Sequence, residues 1–361
     1  MVSITVENGS CRIQGLDPGQ LETLRYSVAY QAQPLPPVGC QLAIRGLVGE
    51  VMSEQHLQRP PPAHRVFAWA LNSASCRRQF SQHNWEPTLS AVAATMRQRG
   101  VWDGWSSMVS TSGHFGAGLL DTVQRACRCR LGLQPSLRDT RPRPALGRPV
   151  GTMPPLFDFQ QEALEAFLTE HRGVLDLPPR SGKTRIATAI IHRLGLRTLY
   201  MTPRKHLVGQ TVAAINRFLG EGTALAIVGQ PKSVKAQRAL ARALVWVCTP
   251  QTAAGPNRAA RKGGKLYTGL PNIHTRELLV VDEFHHAAAP TYREVATLAV
   301  NAYYRLGLTG THFRADGRDM EMESVISRAV YSRTVQDMVE QGRLVPARIA
   351  MIRVPGANTD A

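Results

Sequence analysis

The sequence predicts an α/β protein, a doubly wound parallel sheet preceded by a smaller α+β region. Three observations carry that expectation. From Phe157 onward, short apolar stretches alternate with stretches of helical length. The segment VLDLPPRSGKT, residues 174–184, reads as strand, loop and helix start. The segment LLVVDEFHH, residues 278–286, ends a second apolar strand on Asp282-Glu283. Ligands of open parallel sheets sit outside the carboxyl ends of the strands, so the loop and the acidic pair are expected to face one site.

The elements follow in order. Residues 1–135 form an N-terminal region. It opens with a hairpin, Ile4 to Val6 and Arg12-Ile13 about an Asn8-Gly9 turn. Asp17-Pro18 caps a helix with Leu21, Leu24 and Tyr26 near one face. Residues 31–64 carry Pro34, Pro36, Pro37 and Pro60 to Pro62 and read as loop. Residues 87–99 and 119–129 read as helices. Residues 136–155 are rich in Pro and Arg and read as a linker. Beyond it, strands are expected at 173–177, 197–201, 224–228, 244–248, 278–282 and 304–308. Helices are expected at 160–170, 183–194, 206–218 and 234–243.

Composition narrows the chemistry. With 361 residues and 43% hydrophobic content, the chain is expected to fold as a soluble protein with one large core or two moderate ones. No apolar run reaches membrane-spanning length, and the first residues lack the pattern of a secretory signal, so a cytoplasmic location is expected. The six cysteines have poor metal spacing and read as free thiols. The formal charge is +17, carried mostly by arginine, since only six residues are lysine. Such an excess suits a polyanion, nucleic acid first. Arginine-rich composition from a GC-rich genome accounts for the same number.

The chemistry sits in two motifs. Ser181-Gly182-Lys183-Thr184 opens a helix whose first N–H groups and positive dipole end can wrap phosphates. Lys183 suits the β- and γ-phosphates, and the Thr184 hydroxyl suits Mg²⁺. The full GxxxxGK[ST] pattern is not met, because Leu177 takes the first glycine position. Asp282-Glu283 can place one carboxylate on a metal and the other on an attacking water. Either motif alone also fits an ordinary turn or a solvated acidic pair. Together they point to a nucleotide hydrolase that uses Mg²⁺.

The ordered set of motifs resembles the superfamily 2 DNA helicases and translocases, closest to the phage UvsW and XPB-like group, with the type I restriction motor subunits nearby. Phe159-Gln160 resembles the adenine-recognising glutamine motif, and Ser181 to Thr184 resembles motif I, the Walker A loop. Thr202-Pro203-Arg204 resembles motif Ia, and Thr249-Pro250 resembles motif Ib, both DNA-backbone contacts in the family. Asp282-Glu283-Phe284-His285 resembles motif II. Leu308-Thr309-Gly310-Thr311 resembles motif III. The resemblance implies a RecA-like ATP-binding lobe over residues 156–322, with Lys183, Asp282 and Glu283 catalytic. Phe159, Gln160, Arg180 and Ser181 to Thr184 would line the nucleotide, and Thr184 and Asp282 would hold the metal. His285, Thr309 and Thr311 would relay nucleotide state to DNA. Arg180, Phe157 and His312 depart from the usual family residues.

Val101-Trp102-Asp103-Gly104-Trp105 and Phe115-Gly116-Ala117-Gly118-Leu119-Leu120 resemble the small domain that precedes the motor in phage helicases. That implies an accessory DNA-binding role for residues 1–135, with Trp102 and Trp105 either stacking on bases or anchoring a core. Residues 323–361 resemble a connector entering a second RecA-like lobe, and no QxxGRxxR arginine-finger motif follows in the sequence. The expectation is a DNA-dependent ATPase of a bacterial cell or phage-infected host that needs a second lobe, with a protein partner as one source of it. Duplex, branched or single-stranded DNA all fit as substrate. A nucleotide-gated DNA-binding module without motor activity is the alternative, and a DNA-cleaving restriction motor ranks below both.

Overall fold

The computed structural model describes residues 2–31, 105–229, 233–255, 270–287, 290–310, 319–343 and 345. The proline-rich stretch, the helix expected at 87–99, Trp102, Thr311 and the end of the connector lie outside the described residues.

Strands β1 (Ser3–Val6) and β2 (Ser10–Gln14) form the expected antiparallel hairpin. Helix α1 (Pro18–Ser27) starts on Asp17, whose carboxylate accepts from Gln20 N while the Gln20 side chain accepts from Asp17 N. This reciprocal cap satisfies two otherwise orphaned donors. Leu24 is buried, but Tyr26 is exposed rather than on the same face. At roughly 100° per residue, positions 24 and 26 point to nearly opposite sides of a helix. A short ribbon, β3 (Ala29–Gln31) with β4 (Trp105–Ser107), follows. Then come β5 (His114–Gly116), α2 (Leu120–Leu131) and β6 (Ser136–Asp139). The sheet order is β5-β2-β1-β6, over a core of Ile4, Val6, Cys11, Ile13, Leu24, Phe115, Leu119 and Val123.

Strand β6 falls inside the expected linker. Its residues pair in parallel with β1 because their backbone groups extend the open sheet edge. The rest of the linker is strapped to the second unit, through Gly147 N to Leu194 O, Thr152 N to Phe218 O and His192 Nδ1 with Val150 O.

The second unit is the expected parallel sheet. Its strands are β7 (Arg172–Asp176), β8 (Thr198–Met201), β9 (Ala224–Ala226), β10 (Val245–Cys248), β11 (Leu278–Val281), β12 (Tyr304–Thr309) and β13 (Ala329–Ser332). Their order is β13-β7-β12-β11-β8-β10-β9, all parallel. Helix α3 (Asp158–Glu170) precedes β7, and α4 (Lys183–Leu194), α5 (Lys205–Leu219), α6 (Val234–Arg242) and α7 (Pro250–Ala254) follow β7 to β10 in turn. After them come α8 (Pro290–Leu298), α9 (Asp319–Val325) and α10 (Val335–Glu340).

Strand side chains alternate between two cores, as a period of two requires. Leu175, Tyr200, Val247, Val280 and Leu306 pack under α3, α4 and α5. Val174, Leu199, Trp246, Leu279 and Val281 pack against α7, α8 and α9. The connector is part of this body, since β13 pairs with β7 and Met338 of α10 joins the first core.

The N-terminal unit docks at the amino ends of β7 and β12, opposite the end that carries the motifs. Arg172 is buried and donates to the carbonyls of Asn8, Tyr303 and Ala302. Arg305 is equally buried and donates to those of Ala296, Ala299, Ala302 and Val325. Both cations are held by backbone dipoles rather than by acids, and burial first, then Arg305 and Arg141, pushes the Arg172 pKa down.

The glycines of Phe115 to Leu120 explain why that motif is small. A Cβ on Gly118 would stand 1.9 Å from the Glu323 carbonyl oxygen of α9, and one on Gly116 would stand 2.6 Å from Ser324 O. Gly118→Ala is therefore expected to force the two units apart and to destabilise the chain by about 2 kcal/mol or more. The measurement is urea unfolding together with amide exchange across α9. An unchanged midpoint with unchanged exchange would show that this contact does not hold the units together.

Candidate nucleotide site

The loop after β7 and the start of α4 are shaped by one buried amide. Gln160, only 2% exposed, donates from Nε2 to Ser181 O at 2.9 Å and accepts from Phe157 N at 3.2 Å. Gly182 sits beneath it at φ +82, where a Cβ would lie 2.7 Å from Gln160 Nε2. Both the positive φ and the missing side chain are thus required at that position. Arg180 holds φ +66 where a glycine is usual in the family it resembles, and its side chain points to solvent.

Helix α4 has no side-chain cap, so its first N–H groups are open toward the loop. The buried Ser181 hydroxyl has no hydrogen-bond partner. Lys183 folds onto the loop, with Nζ 3.0 Å from Leu177 O and 3.2 Å from Pro178 O. Burial lowers its pKa, opposed by the charges of Glu283, Asp282 and Asp176. An ammonium parked on carbonyls, an orphaned hydroxyl and an uncapped helix start make a cradle that fits phosphate oxygens.

Asp282 and Glu283 follow β11 and face this loop across a cleft of about 530 Å³. The cleft is lined by Pro179, Arg180, Gly182 to Thr184, Asp282, Glu283, His285 and Gly310. Glu283 takes the left-handed conformation at φ +48, and its N–H donates to Asp282 Oδ1 at 3.0 Å. Such a backbone is strained for glutamate. Burial, then the neighbouring Glu283, raises the Asp282 pKa to about 6. An oxygen-only pair of Thr184 and Asp282 suits Mg²⁺, which prefers hard ligands and retains waters. His285 Nδ1 lies 3.4 Å from Glu283 Oε2 and 3.5 Å from Thr309 Oγ1, so it bridges β11 to β12. Thr309 O in turn accepts from Leu177 N of the phosphate loop.

Other expected residues are placed differently. Phe159 is buried in the core under α3 rather than lining the cleft, because its position on the helix faces inward. The exposed aromatic is Phe157, with the Arg343 guanidinium 4.4 Å and that of Arg185 5.6 Å from its ring centre. Thr202 and Thr249 stand at the carboxyl ends of β8 and β10, which are joined by Thr202 N to Cys248 O. Thr202, Thr249 and Pro250 are buried and build these corners, Pro203 is half-buried, and Arg204 is exposed. Sequence reasoning missed Arg343, which only the fold brings to Phe157. It also missed Tyr200, whose signal was a polar tip within an apolar strand.

Residues 154–314 match the family model described as "Type III restriction enzyme, res subunit". The chain is 32% identical over 183 residues to the DNA 3'-5' translocase XPB2 of Sulfurisphaera tokodaii, covering 51% of this chain and 37% of that protein. It is 28% identical over 215 residues to the DNA 3'-5' helicase XPB of Mycobacterium tuberculosis, covering 57% and 35%. Residues 154–314 are thus similar to the motor portion of DNA helicases and translocases of the XPB group. The chain thus spans just over a third of the length of these curated relatives. In fold, the UvsW helicase of bacteriophage T4 superposes with a TM-score of 0.58 at 14% identity, covering 91% of this chain and 99% of that one. That likeness extends through the N-terminal unit as well as the helicase lobe. No described helix is long and apolar enough to cross a membrane.

The Asp282 carboxylate costs the ligand-free lobe stability wherever it is ionised. Its folded pKa is raised, so its favourable contribution is full below its ordinary value and is lost as pH rises through about 6. Asp282→Asn is expected to raise the melting temperature of the metal-free protein at pH 8, by up to about 3 kcal/mol of stability. At pH 4 the gain should vanish. Thermal unfolding in EDTA at both pH values tests this, and a variant less stable than wild type at pH 8 contradicts it.

Proposed function

We propose that this chain is the nucleotide-binding half of a DNA-dependent motor, which binds ATP with Mg²⁺ and couples its hydrolysis to translocation along DNA or its unwinding. The observation that carries this reading is the convergence of Lys183, Thr184, Asp282, Glu283 and His285 on one cleft at the carboxyl ends of the sheet.

Lys183 leaves its carbonyl partners to neutralise the β- and γ-phosphates, while the first N–H groups of α4 hold their oxygens. Thr184 and Asp282 hold the cation, which when bound neutralises charge on the transferring phosphoryl group. Glu283 orients the attacking water and accepts its proton. Gln160 and Phe157 place the base end of the nucleotide beside the loop. Any change at the γ-phosphate that moves Glu283 reaches Thr309 through His285, and the exposed Arg204, held by the buried corner at Thr202, meets the DNA backbone. Net charge of +17 supports such a partner.

Full turnover under this reading needs a second RecA-like lobe to supply an arginine finger, a contribution of roughly 10³-fold or more. The place of action is the cytoplasm of a bacterial cell or of a phage-infected host.

The test is ATP binding and hydrolysis by purified 1–361, with and without DNA. Glu283→Gln is expected to keep ATP binding and lose turnover by about 10²-fold or more, whereas Lys183→Ala loses binding. DNA affinity should fall steeply with salt. Equal hydrolysis by Glu283→Gln and wild type removes the assigned base. ATP and DNA binding with no turnover even beside a second lobe would favour a nucleotide-gated DNA-binding module.

A further inference from the structure

We propose that Tyr200 is a positioning residue of the nucleotide site, its hydroxyl fixing the Asp282 carboxylate and the Thr184 hydroxyl in the arrangement that takes a divalent cation. The inference rests on the reading of that site as one for Mg²⁺-bound nucleotide.

Tyr200 lies in β8, a central strand flanked by β10 and β11, and is fully buried. It pairs in register with Val280, two residues before Asp282. Its ring belongs to the core beneath the first turns of α4, with Ile186 and Ala187. That direction carries the hydroxyl to the seam between the phosphate loop and the end of β11, against the side chains of Thr184 and Asp282. The geometry to neither completes an ordinary hydrogen bond in the ligand-free lobe, and the hydroxyl has no other partner.

A fully buried hydroxyl without a partner weakens a fold, and phenylalanine would fill the same space without that cost. The strand is otherwise apolar apart from the buried Thr198, which bonds its own neighbour Leu196 O. The polar tip of Tyr200 therefore has a use only in the seam. A phenol has one donor and two acceptor positions. It can donate to Asp282 while accepting from Thr184, which leaves a free lone pair of each directed outward to a cation. A small inward shift of the two groups on loading would close both bonds. Networks of this kind orient the direct ligands of metals, and their loss typically weakens metal affinity without removing it.

Tyr200→Phe tests the inference, with Mg²⁺ titrated into a fixed concentration of a fluorescent ADP analogue. The half-saturating Mg²⁺ concentration is expected to rise about three- to tenfold, as for one lost hydrogen bond. Analogue binding in EDTA and melting temperature in EDTA should stay at the wild-type level or rise. An unchanged Mg²⁺ requirement overturns the inference. A melting temperature lowered in EDTA, with analogue binding weakened equally with and without Mg²⁺, also overturns it, because that is the mark of packing alone. Wild-type protein that binds no nucleotide would instead overturn the function proposed above, and the role of Tyr200 with it.

Discussion

The site depends on the buried amide of Gln160. It spans the start of α3 and the phosphate loop, accepting from Phe157 N and donating to Ser181 O. Buried in a medium of low dielectric, the amide cannot leave these partners without a desolvation cost. The loop path is therefore fixed before any ligand arrives. Gly182 must then turn with positive φ directly beneath the amide, and α4 must begin without a side-chain cap. Lys183 and Thr184 inherit their directions from that turn. A loop set in advance spends less of its binding energy on ordering.

The two ends of the parallel sheet have different duties. At the carboxyl ends, charged groups surround an open cleft and are held in strained or poorly solvated states. At the amino ends, Arg172 and Arg305 are buried on backbone carbonyls; Arg172 ties Asn8 of the N-terminal unit to β7, and Arg305 holds β12 to the carbonyls around α8 and α9. Guanidinium suits that role because its planar fork reaches several carbonyls at once. The glycines of Phe115 to Leu120 let the backbones approach where a side chain would collide. Arginine in this chain thus serves packing, so the net charge alone overstates the surface available to nucleic acid.

Much of this was legible in the sequence, for physical reasons that differ by element. Strands β7, β8, β10, β11 and β12 were readable because a fully buried parallel strand is a short apolar run. The meeting of Lys183, Asp282 and Glu283 in one cleft was readable because each lies just after an apolar strand of a parallel sheet. Strand β6 was not, since its exposed polar residues give no alternation and its pairing with β1 spans the whole N-terminal unit. Phe159 was misplaced because helical phase decides between it and Phe157, and the motif alone carries no phase. Arg343 reaches Phe157 only after α10 docks through Met338, a contact that local pattern cannot foresee.

The ligand-free lobe stores its tension where the ligand would relieve it. Asp282 is ionised at neutral pH against burial and against Glu283, Lys183 is cationic against burial, and Glu283 sits in a left-handed backbone. The two buried charges are unfavourable alone, and under the function proposed above a divalent cation and a polyphosphate would offset them. The contacts among them are also long, 3.4 Å from His285 to Glu283 and 3.5 Å from His285 to Thr309. Loose contacts of this length can shorten when charge enters the cleft, whereas a chain already at its closest approach could not. The path from Glu283 through His285 to Thr309, and from Thr309 to Leu177, returns to the loop that carries Lys183. Under the function proposed above, a ligand at one end of it would bear on both strands that carry the site.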